Sequence, residues 1–244
     1  MSVTNASIIP KLMKAGLRSV LLLAFVSLVV AQKPANEKFQ HAVERSQDAA
    51  RIMSLLSDNA SDFPGDLVAK AQVVAVFPRV TRQDALVRRY LQGYGVVSAR
   101  TERGWSLPAF YQFESAPRKF TGGSQENFAI ILLFMSKDAP SWFDKDKSEF
   151  KKERAASVGP VRDSKVEQPT RQVLAYTYYN GKLNAKIDPD FFNNFILDQD
   201  NNINTPMYGC KGRDVLSGKK IDIGSLPTGI SAFSDALDKS WSRP

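Results

Sequence analysis

Cysteine and histidine are almost absent from this chain of 244 residues, which has one of each, Cys210 and His41. A single cysteine excludes an intramolecular disulfide, so packing alone must hold the fold. Nucleophilic triads and most zinc sites need histidine or clustered cysteines, and these two residues lie far apart in the sequence. We therefore expect a protein that is not an enzyme, with no catalytic residue, metal or cofactor, and a Cys210 that is structural and half-buried.

Other motifs that carry chemistry are missing as well. The oxygen-bearing residues of 198–204 alternate as in a calcium loop, but Ile203 and Gly209 stand where an EF-hand needs glycine and an acid. The glycine pairs lack the Lys-Ser or Lys-Thr of a phosphate loop. A divergent hydrolase that uses carboxylates stays open as a third interpretation. Its acids would lie in a charged run where solvated ion pairs are the more common role: Asp144, Asp146, Glu149 and Glu153.

Acidic residues are absent from the first 31 positions. Lys11, Lys14 and Arg18 precede an apolar run over 20–30, and Val29 and Ala31 form a small-residue cleavage pattern. The run is shorter than the roughly 20 residues of a membrane span, so a cleaved signal peptide is favoured over a retained anchor. The sequence predicts export by a signal peptide of residues 1–31, to the periplasm or outside the cell, with peripheral membrane association allowed.

The remaining chain is moderately basic. Removal of residues 1–31 lowers the formal net charge from +8 to +5, a surplus that favours anionic surfaces through summed weak attraction. No motif for DNA or RNA recognition is present, and we expect no nucleic-acid partner. The roughly 210 residues left fit one domain with a sizeable core.

Hydrophobic spacing predicts helices at both ends of this domain. Apolar residues recur at three- and four-residue steps over 37–57, which predicts an amphipathic N-terminal helix that packs on its own domain rather than on a bilayer. Further helices are predicted at 64–70, in the charged run 136–154, around Phe191–Ile196, at 212–219 and at 228–241.

Valine-rich and aromatic runs predict strands between these helices. A buried strand over 71–78 is expected to end at Pro78. Residues 126–135 are expected to form a central strand, with a buried helix as the alternative. Hairpins are predicted for 94–100 with 105–113 and for 171–187, the second turning at Asn180–Gly181. The prediction is an α+β fold: a mainly antiparallel, curled or barrel-like sheet with the N-terminal helix and further peripheral helices.

Arginines are concentrated within 25 residues that contain only two acids, Asp84 and Glu102. Clustered guanidinium groups suit phosphate or carboxylate recognition, because each can bind two oxygens at once. An ordinary basic loop is the alternative interpretation. The predicted lipid-binding residues are Arg79, Arg82, Arg88, Arg89, Arg100 and Arg103.

An ordered set of short motifs resembles the SYLF domain, a lipid-binding module of eukaryotic endocytic proteins and secreted bacterial proteins. The motifs include Val74-Ala-Val-Phe-Pro78, Gly93-Tyr-Gly-Val-Val-Ser-Ala-Arg100 and Gly104-Trp-Ser-Leu-Pro-Ala-Phe110. Ala156-Ser-Val-Gly-Pro160 and Tyr208-Gly209 with Val215-Leu-Ser-Gly218 follow in the same order. The family-motif residues with a structural role are Gly93, Gly95, Trp105, Pro108, Gly159, Pro160, Tyr208 and Gly209.

The resemblance implies binding rather than catalysis, with an anionic lipid or membrane surface as the partner and a protein as a possible partner. The motifs cover roughly residues 40–220, and we divide the chain after residue 31 into a segment 32–36, a SYLF-like domain over 37–222 and a C-terminal helix or tail over 223–244. The chain departs from the family pattern at two glycine-rich stretches, near Gly122 and after Gly181. An exported scaffold that binds another protein or a polyanion is the alternative function.

Overall fold

A computed structural model describes residues 37–58, 63–85, 88–119, 127–160, 172–184 and 189–241, and of residues 83–85, 88, 118 and 119 the backbone alone. The chain divides into two compact units, residues 1–40 and residues 41–244. Helical residues 37–40 are the described part of the first unit. The predicted signal peptide of residues 1–31 and the segment 32–36 lie outside the described residues.

Helix α1 covers residues 37–58 of the described chain. From His41 onward its buried apolar residues recur at helical spacing: Ala42, Ala49, Met53 and Leu56. Ser46 is buried in the same stripe, where its hydroxyl donates to the carbonyl of Ile230 at 2.7 Å and accepts from the amide of Phe233 at 3.2 Å. The predicted packing of this helix on its own domain is confirmed.

The described residues form one sheet of eleven strands. They are β1 (Val73–Ala85), β2 (Arg88–Thr101), β3 (Gly104–Trp105), β4 (Ala109–Ser115), β5 (Arg118–Lys119), β6 (Asn127–Phe134), β7 (Lys147–Lys151), β8 (Ala156–Val158), β9 (Val173–Tyr179), β10 (Lys182–Leu183) and β11 (Asn194–Gln199). Their order is β10-β9-β6-β1-β2-β4-β11-β7, with β3 and β5 paired to β2 and β8 to β9. Only the β8–β9 pairing is parallel among those described. The sheet is nearly closed, which confirms the predicted α+β fold with a barrel-like sheet and peripheral helices.

Aromatic side chains fill the inside of the curled sheet. The rings of Phe134 on β6 and Phe150 on β7 lie 5.3 Å apart, although these strands are distant in the sheet order. Phe150 also stacks on Phe195 of β11 at 4.9 Å. Tightly packed aromatic rings of this kind bury large apolar areas, so packing holds the barrel together without a disulfide.

Among the described residues, four more α-helices lie outside the sheet: α2 (Gly65–Lys70), α3 (Asn201–Tyr208), α4 (Gly212–Leu216) and α5 (Ala232–Trp241). The predicted helices at 64–70, 212–219 and 228–241 are thereby confirmed. In α5, Phe233, Leu237 and Trp241 are buried, so the residues after Asp222 pack as part of the unit 41–244. No helix of the described residues combines the length and apolar character needed to cross a membrane.

The prediction of helix in the charged run 136–154 is wrong. A 3-10 helix covers Ala139–Phe143 and strand β7 follows it. Ser148 and Phe150 are buried whereas Lys147, Glu149 and Lys151 are exposed, an alternation of period two that belongs to a strand. The strand lies at the edge of the described sheet, where exposed lysines are common because they discourage pairing with another chain.

The predicted helix around Phe191–Ile196 is also wrong. A 3-10 helix covers Pro189–Phe192, and β11 then begins at Asn194. Phe195, Leu197 and Gln199 alternate with half-exposed neighbours, and the strand pairs with both β4 and β7. The closely spaced phenylalanines imitate a helical stripe in the sequence, but pairing on both sides decides for the strand.

Strand β1 continues past Pro78 to Ala85, so the predicted end at Pro78 is wrong. The register with β2 shifts between Val76 and Arg79, and this irregularity accommodates a proline that cannot donate to the ladder. Opposite the shift, an added Cβ at Gly95 would lie 2.2 Å from the carbonyl oxygen of Val76. Glycine is therefore required there by the close approach of the two backbones.

The other predicted strands are confirmed over their described residues, while residues 126, 171 and 185–187 of these predictions lie outside the described chain. The predicted hairpin of 94–100 with 105–113 corresponds to β2 paired with β3 and β4, and 126–135 corresponds to β6. Strands β9 and β10 turn at Asn180 and Gly181, which have φ angles of 47° and 77°. These left-handed conformations are the ones that Asn-Gly hairpin turns use.

Candidate functional site

The six predicted arginines do not form one surface. Arg88 and Arg100 lie twelve residues apart on the same strand, β2, which corresponds to about 40 Å at a rise of about 3.3 Å per residue. Arg79 lies between these ends, opposite Tyr94 in the β1–β2 register. Closeness in the sequence therefore does not bring these residues together, because an extended strand separates them.

The guanidinium group of Arg100, near the end of β2, is hydrogen-bonded to backbone carbonyls. Its Nη2 donates to the carbonyl oxygens of Ala69 at 3.0 Å and of Trp241 at 2.8 Å. Its guanidinium carbon lies 4.0 Å from the centre of the Trp105 ring. These contacts join α2, α5 and β3 around one half-buried side chain. Arg100 holds the fold together in this arrangement, and we leave it out of the candidate surface.

Arg79 lines a cleft of about 320 Å³ between α1 and the β1–β2 hairpin. Its Nη2 lies 3.1 Å from an oxygen of Asp48. In the same cleft Arg45 lies 3.1 Å from Asp200 and 4.8 Å over the ring of Tyr94. Because these two cations are paired with carboxylates, their ion pairs help to hold α1 against the sheet.

Basic residues do come together where the β1–β2 hairpin ends. Strand β5 pairs with the start of β2, so that Arg88 lies opposite Lys119 and Arg89 opposite Arg118. On the other side of β2, Asp84 lies opposite Arg89. We define the basic hairpin end as Arg82, Arg88, Arg89, Arg118 and Lys119. Its members are distributed over three neighbouring strands, β1, β2 and β5.

Two side chains of the basic hairpin end are described. The guanidinium carbon of Arg82 lies 5.8 Å from the centre of the Phe128 ring, and its Nε is buried without a partner among the described residues. Arg89 is 6% exposed. Arg82 is thus supported by an aromatic face, and Arg89 contributes its charge to the local field from below the surface.

A second group of charged residues lies at the other end of β2, beside Arg103. A groove of about 370 Å³ runs between the β2–β3 turn, the segment after α4, and α5, and Asp235 and Asp238 line it together with the basic residues. Lys219, Lys220 and Ile223 line it, and Ile223 is 64% exposed. We define the C-terminal ridge as Arg103, Lys219, Lys220 and Ile223. Arg103 is tied to it by a bond of 3.2 Å from its Nη2 to the carbonyl of Gly218.

The family-motif residues have structural positions. At Gly93 an added Cβ would lie 2.8 Å from the carbonyl oxygen of Arg79, a close approach like the one at Gly95. The Trp105 amide lies 3.2 Å from a carboxylate oxygen of Asp238, and Gly209 is the residue after the end of α3. The Tyr208 hydroxyl donates to the carbonyl of Pro108 at 2.7 Å.

The last motif pair, Gly159 and Pro160, lies against Tyr176. The Tyr176 hydroxyl donates to the carbonyl of Pro160 at 3.1 Å, and an added Cβ at Gly159 would lie 2.0 Å from the Tyr176 ring. These glycines and carbonyls are thus used in packing the barrel.

The residues considered for catalysis have the environments of structural or surface residues. Cys210 is 7% exposed, and burial raises the pKa of its thiol, which disfavours a thiolate nucleophile. Asp146 accepts bonds from Lys211, which lower the pKa of its carboxyl, and Lys151 lowers that of Glu149 in the same way. Exposed, ionised carboxylates of this kind are surface ion-pair partners. Among the described residues, no group of three His, Cys, Asp or Glu side chains is placed to hold a metal ion.

Sequence reasoning missed half of the basic residues at the two ends of β2. Arg118 and Lys119 are an isolated pair in the sequence, as are Lys219 and Lys220, and strand pairing or chain reversal brings them beside the arginines. The sequence signal that could have found the second pair is the run Lys-Lys-Ile-Asp-Ile of 219–223, in which two lysines precede two isoleucines.

Comparisons of the chain with protein-family models, with curated proteins and with solved structures found no match.

Proposed function

We propose that this chain is an exported, non-enzymatic protein that binds anionic lipid at a membrane surface through the basic hairpin end. The observation that carries the proposal is the placement of five basic residues on three paired strands at one end of the sheet. Like charges directly opposite one another destabilise a sheet. An anionic surface relieves this repulsion, so a lipid headgroup region complements the arrangement.

The size of the attraction follows from the charges. Five basic residues and one acid, Asp84, leave four net positive charges at the hairpin end. Each basic residue near an anionic leaflet contributes about 1 kcal/mol. The sum of about 4 kcal/mol corresponds to a Kd of about 1 mM. We therefore expect weak, reversible binding that depends strongly on salt, because 1 M salt shortens the screening length to about 3 Å.

The test begins with the chain expressed with its leader in a bacterial host. Intact mass should show the exported product beginning at Gln32, since cleavage is proposed after Ala31. This product is sedimented with vesicles of phosphatidylcholine alone or mixed with phosphatidylglycerol, at low and at high salt. Binding is expected only to the anionic vesicles and only at low salt.

The informative variant is Arg88→Ala with Lys119→Ala, and it should weaken binding to anionic vesicles about tenfold or more, given about 1 kcal/mol per charge. The matched control is Lys147→Ala with Lys151→Ala, which removes two exposed lysines from the edge strand β7. Arg89 is left unchanged because it is buried. Equal loss in variant and control, or no binding by the native chain, would contradict the proposal. The second result would direct attention to a protein or polyanion partner.

A further inference from the structure

The turn between β9 and β10 consists of Asn180 and Gly181, the single Asn-Gly pair in the sequence. Both residues are exposed. Among the described residues, no hydrogen bond engages the side-chain amide of Asn180 or the backbone amide of Gly181. An added Cβ at Gly181 would meet nothing within 4 Å, so no neighbouring group covers the turn there. The two amides are therefore available to react with each other.

An asparagine side chain and the next backbone nitrogen react without an enzyme. The Gly181 nitrogen attacks the side-chain carbonyl carbon of Asn180 and forms a C–N bond. The bond from that carbon to the side-chain NH2 breaks, and NH2 leaves as ammonia with the proton of the backbone amide. Water then opens the cyclic imide to aspartate or isoaspartate, with no oxidation or reduction. Glycine favours the attack, because it has no Cβ beside the nucleophilic nitrogen.

The hairpin around this turn is short. Strand β10 consists of Lys182 and Leu183, which pair with Tyr179 and Tyr178, and it lies at the edge of the described sheet. Segments with few pairs at an edge open locally at a small fraction of the global free energy of unfolding. Local opening lets Asn180 leave its left-handed conformation and adopt the geometry that the attack requires.

Asn184 provides an internal comparison in the same segment, because its φ angle of 56° is also left-handed. Its Oδ1 accepts from the Thr177 amide at 3.3 Å, and its Nδ2 donates to the carbonyl of Gly159 at 3.3 Å. The next residue in the sequence is alanine, whose Cβ hinders attack by its own nitrogen. Asn184 should therefore keep its amide while Asn180 loses it.

We infer that Asn180 is a site of spontaneous deamidation, and that its isoaspartyl product detaches β10 from β9. Isoaspartate carries the backbone through its side-chain carbon and adds a methylene group to the turn, so the two-residue geometry is lost. Aspartate, by contrast, tolerates the left-handed conformation as asparagine does and should preserve the hairpin. This modification is independent of the proposed lipid binding.

The experiment incubates the purified full chain at physiological temperature and mildly alkaline pH. Peptide mass mapping follows the replacement of NH2 by OH at each asparagine, and chromatography separates isoaspartyl from aspartyl peptides. Deamidation of Asn180 should be about tenfold faster than that of Asn184, the ratio that a difference of about 1.4 kcal/mol in activation free energy gives. Hydrogen exchange of the backbone amides of β10 should be faster in the isoaspartyl form than in the unmodified chain.

The matched variant is Asn180→Asp, which has no side-chain NH2 to lose. Its mass at this position should stay constant during incubation, and freshly prepared it should show native hydrogen exchange in β10. Equal rates at Asn180 and Asn184, or no deamidation of Asn180, would overturn the assignment of the site. Isoaspartate at 180 with unchanged exchange in β10 would overturn the detachment, as would fast exchange in freshly prepared Asn180→Asp.

Discussion

Replacement of Arg100 by alanine separates a structural from a lipid-binding role for this residue. The substitution removes two short bonds from a charged donor to the carbonyls of Ala69 and Trp241, and a stacking contact on Trp105. It also removes a bond of 3.4 Å from Nε to the carbonyl of Ala71, which is too long to add much. Bonds from charged groups contribute about 1.5 kcal/mol or more each, and cation–π contacts about 1 kcal/mol. We expect Arg100→Ala to lower the free energy of unfolding by about 4 kcal/mol, with an unchanged affinity of the folded chain for vesicles.

The assay is chemical denaturation followed by circular dichroism, with thermal unfolding as a second measure. A loss of about 4 kcal/mol should lower Tm by about 12 °C in a domain of this size. Arg100→Lys keeps the charge but not the planar fork, so it should lose about half as much. Arg103→Ala is the matched control. Its guanidinium is exposed and the described bond is a single one to Gly218, so the loss should stay below about 1 kcal/mol.

Two results would refute this reasoning. Arg100→Ala with a stability within about 1 kcal/mol of the native chain would mean that these bonds contribute little beyond their exchange with water. A fully folded Arg100→Ala chain with weakened vesicle binding would place Arg100 at the lipid-contact surface after all.

The remaining predictions concern buried positions. Tyr111→Phe should leave the free energy of unfolding unchanged or raise it by about 1 kcal/mol, because the buried hydroxyl has no partner among the described residues. Tyr208→Phe should lower the free energy of unfolding by about 1 kcal/mol, because it loses the bond to the carbonyl of Pro108. Burial raises the pKa of both tyrosines. The unfolded chain therefore loses these protons first as the pH rises, and the free energy of unfolding should fall above about pH 10, less steeply in Tyr111→Phe. Denaturation at about pH 8 and about pH 10.5 measures this fall, and an equal fall in Tyr111→Phe and the native chain would contradict the reasoning. Gly95→Ala should lower stability by about 3 kcal/mol, because its Cβ would lie 2.2 Å from a backbone carbonyl. In Gly224→Ala the Cβ would meet only a side-chain oxygen at 3.4 Å, and a similar loss there would refute the steric argument.

Local signals in the sequence predicted the elements whose pattern does not depend on distant partners. The Asn180–Gly181 pair specifies a tight hairpin. The apolar run that became β6 also allowed a buried helix, and the lack of polar residues at helical spacing, together with the family resemblance, favoured the strand. The helical spacing of α1 was sufficient to identify its buried face. Where the prediction failed, at β7 and β11, the short segments had ambiguous periodicity, and pairing with neighbouring strands decided their state.

The candidate site was less accessible from the sequence than the fold. The sequence by itself determined the scarcity of histidine and cysteine, the basic charge and the concentration of arginines between positions 79 and 103. Only the tertiary structure decided which of these arginines are paired, buried or tied to backbone, and which acquire basic neighbours from β5 or from the segment after α4. The physical reason is that the electrostatic potential at a surface sums the charges that lie near it in space. Along an extended strand, by contrast, each residue step adds about 3.3 Å, so residues close in the sequence lie far apart.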